Sequence, residues 1–268
     1  MKKIYKSYLV VLSIIIVGYS SSILAAPKAK MIGFWNDSEA TSQLSIDNSK
    51  WQAILSKYVD DNHSSGVNRF NYAQVTESDK QLLIDYLNYM QQMDPRQLNP
   101  SNQKAFWLNL YNATVVSAIL AKDASSIKSL NNVWKKKRLE VTRQPMSLDD
   151  IEHGVIRPLY NDPRIHFAIT PATIGSGDIL ATPYTGDNVE QLLEENTKRF
   201  FNNSNKGVYI EGNKLVVSSI FKWYKSDFGG SNDGIKVFIK RYVDEDMKLK
   251  IDQIKKISYQ YNWELNKP

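Results

Sequence analysis

Apolar residues recur at helical spacing in three places in the first half of the chain. Trp51, Ile54, Leu55, Tyr58 and Val59 share one face of a 3.6-residue period, as do Leu82, Leu83, Tyr86, Leu87 and Met90, so each set predicts an amphipathic helix. The second should stop before Asp94–Pro95, because proline disfavours helical backbone in the residue ahead of it. The third helix, with Ser101 as its N-cap and an end near Leu120, is different in kind. No residue from Ala105 to Ala121 is charged, and a helix apolar round most of its circumference belongs inside a core. A membrane span is the rival, but the stretch is short and carries Asn109, Asn112, Thr114 and Ser117. Phe106, Trp107, Leu110 and Tyr111 read as packing, whereas the amides of Asn109 and Asn112 must find partners for their donors and acceptors.

In the second half, Ser147 followed by Asp149, Asp150 and Glu152 reads as an N-capped helix start with acids at the positive end of the dipole, ended by Arg157–Pro158. The apolar run Ile165–Ile169, just after Asp162–Pro163, predicts a short strand. Thr170 to Gly186 is rich in Gly, Pro, Ser and Thr and reads as a specialised loop. A helix through Leu192, Leu193 and Phe200 follows. Val208–Ile210 and Leu215–Val217 flank a turn sequence and predict a β-hairpin. Helical segments are expected around Ile220–Tyr224, Ile235–Tyr242 and Met247–Ile257. The sum is a single, helix-dominated α+β domain over residues 50–268. Its small antiparallel sheet would be built from the His166 strand, the hairpin and residues near Tyr259–Trp263. Residues 26–49, polar and without a sustained period, read as a linker.

The first 25 residues change the picture of charge. Lys2, Lys3 and Lys6 precede an uncharged stretch whose apolar heart, Tyr8 to Val17, gives way to Gly18, Ser20–Ser22 and Ala25–Ala26, the pattern of a secretory signal peptide cut after Ala25. An uncleaved anchor is the alternative, although the apolar part alone is too short to span a bilayer. The expected product is exported, periplasmic or secreted, with no stable membrane span after cleavage. Removing three lysines and no acid lowers the formal charge from +6 to +3. The one dense basic run, Lys135–Arg138, reads as a solvated loop, so no nucleic-acid partner is expected.

Candidate chemistry is bounded by the residues available. The chain has no cysteine and 3 histidines, which removes disulfides, thiolate-ligated metals and a cysteine nucleophile. It has no phosphate-cradling glycine loop and no histidine pair at metal-motif spacing, so neither cofactor nor metal is expected. The best constellation is Glu152, His166 and the hydroxyls of Thr170, Thr173 and Ser176. A histidine beside a nucleophile and oriented by a carboxylate is the general arrangement for acyl transfer. The plain alternative is a hydrogen-bonded structural histidine.

Five strings point to a family: Ala105–Phe106–Trp107–Leu108–Asn109–Leu110–Tyr111–Asn112–Ala113; Ser147–Glu152 with Arg157–Pro158; Asp162–Ala168; Ser219–Tyr224 with Asp227–Phe228; and Tyr261–Asn266. In order and spacing they resemble the domain of unknown function 547 family over about Trp51 to Asn266. The resemblance implies a loosely papain-like core, with a cysteine after the His166 segment as suspected nucleophile, His166 as base and Glu152 as orienting acid. Both cysteines of the family loop are missing, and Ser176 falls where the second would be. Two readings follow. In one, the chain is a catalytically degenerate relative that binds a peptide, glycan or protein in the former cleft. In the other it is a hydrolase or acyltransferase using Ser176, with Asn109 or Asn112 as oxyanion donor. Arg164 would pair with a carboxylate in either.

Overall fold

The computed structural model describes residues 26–268 apart from 123, 125, 131, 204 and 205 and the side chain of 128; the expected signal peptide lies outside the described residues. Helices α1 (Ser49–Tyr58), α2 (Glu77–Gln92) and α3 (Pro100–Leu120) form the first half, with short antiparallel strands β1 (Val59–Asp60) and β2 (Arg69–Phe70) between α1 and α2. Thr76 caps α2 by accepting from the Asp79 amide, with Glu77 and Asp79 in the first turn. α3 is capped by Asn99, whose Oδ1 accepts from the Asn102 amide at 2.9 Å, rather than by the expected Ser101. Pro100 explains the shift, because its fixed φ suits the first helical position and its missing N–H costs nothing there. As the uncharged pattern demands, α3 is enclosed on all sides and forms the axis of the larger core. Among the described residues no helix is long and apolar enough to cross a membrane.

A hairpin of β3 (Leu139–Val141) and β4 (Gln144–Met146) leads into α4 (Leu148–Ile151). Ser147 and Asp150 cap this helix reciprocally, as a capping box. The helix does not end at Arg157–Pro158. It runs on through a π-helical segment, Glu152–Ile156, into α5 (Arg157–Tyr160), and stops at Asn161 in left-handed backbone, φ 46°. Pro158 lacks the N–H that a π turn would aim at the His153 carbonyl and an α turn at that of Gly154. Those carbonyls accept instead from the amides of Lys30 at 2.9 Å and Ile32 at 2.8 Å. Residues 26–49 are therefore not a free linker. Trp35 is fully buried, and Ile32 lies so close to Gly154 that a Cβ there would come within 2.5 Å of its side chain.

The run expected as a strand around His166 is one helical turn, α6 (Ile165–Ala168). Four apolar residues are too few for periodicity to separate strand from helix, and the amides of Ile165 and His166 close back onto the carbonyls of Asp162 and Pro163. α7 (Val189–Asn202) follows the long loop. Then come β5 (Tyr209–Glu211), β6 (Lys214–Ser218), α8 (Ile220–Trp223), a 3₁₀ turn at Lys225–Phe228, α9 (Asn232–Ile239), α10 (Glu245–Gln253) and β7 (Lys256–Gln260). The hairpin β5–β6 is antiparallel as predicted, but β7 joins β6 in parallel, so the sheet is mixed and does not contain His166. A second core, rich in phenylalanine, packs against this sheet through Phe167, Phe200, Phe201, Phe221, Phe228 and Phe238. The whole is a helix-dominated α+β domain with small sheets.

Candidate functional site

A cavity of about 210 Å³ opens where the two cores meet. α3 and the α4–π rod supply Tyr111, Asp149, Glu152 and His153; α6 and the loop after it supply His166, Ile169, Pro171 and Ser176. The facing wall is aromatic, with Trp223 and Tyr224 from the end of α8 and Tyr261 and Trp263 from the segment after β7. Glu152, His166 and Ser176 are thus brought to one place from three parts of the chain. Asn109, Asn112 and Arg164 are not part of its lining.

Their side chains are engaged elsewhere. Asn109 clamps the Tyr184 peptide, donating to its carbonyl at 2.7 Å and accepting from its amide at 3.0 Å. Asn112 donates to the Ala168 carbonyl and accepts from the Thr170 amide, both at 2.9 Å, and so ties α3 to the end of α6. With both ends of each amide held by main chain, neither is placed as the oxyanion donor or substrate ligand that the sequence suggested. Arg164 pairs with Asp162 at 2.7 Å and Glu190 at 2.6 Å at the start of α7, a structural bridge between elements.

Ser176 is held by the loop itself. Its Oγ donates to the Thr173 carbonyl at 2.7 Å and lies 2.9 Å from Thr170 Oγ1, which in turn accepts from the Ala172 amide. Among the described residues no hydrogen bond joins Ser176 to His166. Two glycines of this loop, Gly175 and Gly177, lie directly against main chain. A Cβ on Gly177 would sit 1.9 Å from the Phe167 carbonyl oxygen, so the loop touches α6 through a position that only glycine can fill. Gly177→Ala is expected to cost ~3 kcal/mol, the upper end for overpacking, because the obstruction is backbone. A thermal melt indistinguishable from wild type would contradict that packing.

His166 is oriented by a carboxylate, but not by Glu152. Its Nε2 donates to Asp227 Oδ2 at 2.8 Å, which leaves Nδ1 as the ring nitrogen not engaged by that carboxylate. The imidazole packs on Tyr224 with ring centroids 4.0 Å apart. Asp227 also takes a two-pronged bond from the buried Arg157, Nε at 2.7 Å and Nη2 at 2.9 Å. Burial alone would raise the Asp227 pKa, but the hydrogen bonds from His166 and Arg157 outweigh it and hold the carboxyl well below its ordinary range. The remaining Arg157 nitrogen, Nη1, donates to the Pro27 carbonyl at 2.6 Å and to His153 Nδ1 at 3.0 Å. Reading Arg157 as a helix stop and Asp227 only as part of a family string missed this network, because the residues are 70 apart and no local spacing announces it.

Glu152 instead faces Tyr111, whose hydroxyl donates to Oε2 at 3.2 Å. Burial, and then the Glu152 carboxylate, push the Tyr111 and Tyr224 hydroxyls well above their usual pKa, so both stay protonated. Asp149 is raised by burial.

Residues 95–201 match the family described as "Protein of unknown function, DUF547". No curated protein and no solved structure matches the chain. The matched stretch holds Tyr111, Asp149, Glu152, Arg157, His166 and Ser176, whereas Asp227 and the aromatic wall from Trp223 to Trp263 lie beyond it.

Proposed function

We propose that this chain is an exported ligand-binding protein whose cavity is the remnant of an acyl-transfer site. The observation that carries this reading is the hydrogen bonding of Ser176. A serine nucleophile must pass its proton to a base, and here the proton is directed at the Thr173 carbonyl, with Thr170 filling another side of the oxygen. An oriented imidazole therefore faces the cavity without a nucleophile bonded to it. Export rests on the basic, apolar and small-residue sequence at the N-terminus.

The rival reading, a hydrolase or acyltransferase using Ser176 with His166 as base, draws on the fact that both residues line one cavity and that Asp227 orients the ring. Covalent labelling separates the two. Purified protein should not be acylated or phosphonylated at Ser176 by a fluorophosphonate probe, and Ser176→Ala should melt within ~1–2 kcal/mol of wild type, the cost of its lost internal hydrogen bonds. Labelling abolished by Ser176→Ala and by His166→Ala alike would overturn the ligand-binding reading.

A further inference from the structure

The cavity combines aromatic walls with an acid whose bonding is incomplete. Glu152 is only 6% exposed, and although Tyr111 serves Oε2, its other oxygen, Oε1, is buried with no hydrogen-bond partner among the described residues. His153 is the obvious donor, its Nδ1 lying 3.7 Å from Oε1. That nitrogen is already 3.0 Å from Arg157 Nη1, and a guanidinium can only donate, so Nδ1 is an acceptor with no proton to give. The Tyr224 hydroxyl also approaches the Glu152 carboxylate but makes no hydrogen bond to Oε1. A buried carboxylate oxygen without a donor is costly to keep in a folded protein. Asp149, in no ion pair among the described residues, adds a second acid to the same lining. Opposite stand three rings in mutual contact, Trp223, Tyr261 and Trp263, with centroids 4.6–5.3 Å apart. Aromatic faces around a carboxylate are the chemistry that recognises organic cations.

Resting on the ligand-binding reading above, we infer that the cavity takes an alkylammonium or guanidinium group, which donates to Glu152 Oε1 and lies against Trp223, Tyr261 and Trp263. Its volume, about 210 Å³, is below the ~300–1,000 Å³ of most small-molecule sites, so the group it accepts is the size of one side chain. A basic side chain of a peptide and a free amine present the same chemistry.

The test is a titration of the full mature protein followed by tryptophan fluorescence, since Trp134, Trp223 and Trp263 line the cavity. The probes are butylammonium, the capped peptide Ala-Lys-Ala, and their neutral counterparts, butanol and the same peptide acetylated on its lysine. Both cations should bind and the neutral probes should not. Glu152→Gln, which keeps shape and removes charge, should weaken binding by about tenfold or more, the value of a charge-assisted hydrogen bond. Trp263 is 49% exposed, so Trp263→Leu should leave the fold intact and still weaken the cations several-fold. Tighter binding of the peptide than of the amine identifies a side chain as the source, and equal binding identifies a free amine. Neutral probes that bind as well as cations would overturn the inference while leaving the ligand-binding reading in place. Unchanged affinity in both variants, or no cation binding at millimolar concentration, would also overturn the inference, whereas Ser176 labelling is the result that removes the reading beneath it.

Discussion

Asp227→Ala should cost on the order of 3–5 kcal/mol of folding stability, because it strands a buried cation. The Arg157 side chain is 2% exposed and gives two of its donors to Asp227, and among the described residues its other hydrogen bonds go to the Pro27 carbonyl and His153. The same substitution frees the His166 ring. Asp227→Asn should cost less, since it keeps the shape and one acceptor oxygen. The effect carries a pH signature. The folded carboxyl titrates below its ordinary unfolded value of about 3.9, so its stabilisation is fully present above that pH and fades as acid protonates it. Urea unfolding of wild type and Asp227→Ala should therefore differ most near neutrality and converge as the pH falls below about 4. A gap that stays constant with acid would mean that packing, not charge, explains the loss. Arg157 also holds Pro27, so the variant should expose the segment around residues 27–32 to proteolysis before the rest of the domain.

The helices of the first half were legible because each buries a face and the repeat is long enough to count. α3 is the clearest case, since the absence of charge from Ala105 onward required a position inside a core. What was not legible turned on single backbone groups. The β3–β4 hairpin escaped notice because its turn residues, Thr142 and Arg143, both adopt positive φ, 47° and 62°, without the Asn-Gly signature that usually marks such turns. The rod after Ser147 looked finished at Pro158, since nothing local reveals that a segment more than a hundred residues earlier supplies the donors the proline lacks.

The site divides in the same way. His166, Glu152 and Ser176 do share one cavity, and the residue types that suggested chemistry were enough to find it. The partnerships inside it are not readable from sequence, because Asp227 reaches His166 from 61 residues away while Glu152 lies much nearer in the chain. Trp223, Tyr261 and Trp263 could have been noticed as two aromatic-rich strings, but only the parallel pairing of β7 with β6 brings them together.

Lys206→Met should be as damaging as the loss of Asp227, by the mirror-image argument. Lys206 Nζ lies 2.5 Å from Asp178 Oδ1, and each side chain is 1% exposed. Burial pulls the lysine pKa down, and the Asp178 carboxylate opposes that pull, so removing Asp178 would favour a neutral amine while removing Lys206 would leave a bare carboxylate. The second loss is the worse one. Among the described residues Asp178 Oδ2 has no hydrogen-bond partner, and Oδ1 would keep the Asn68 amide at 3.2 Å alone, which points to a cost of about 3–5 kcal/mol. Pairing Lys206→Met with Asp178→Asn removes the stranded charge, so the double variant should be more stable than Lys206→Met alone. Denaturant midpoints for the four proteins of that cycle give the coupling directly. Because Nζ also donates to the Ser176 carbonyl at 3.0 Å, the pair pins the main chain of the loop that faces His166. Cation binding should then weaken in Lys206→Met and recover in the double variant only if loop position follows the charge; recovery of stability without binding would show that the lysine's bond to Ser176, not neutralisation of Asp178, shapes the cavity.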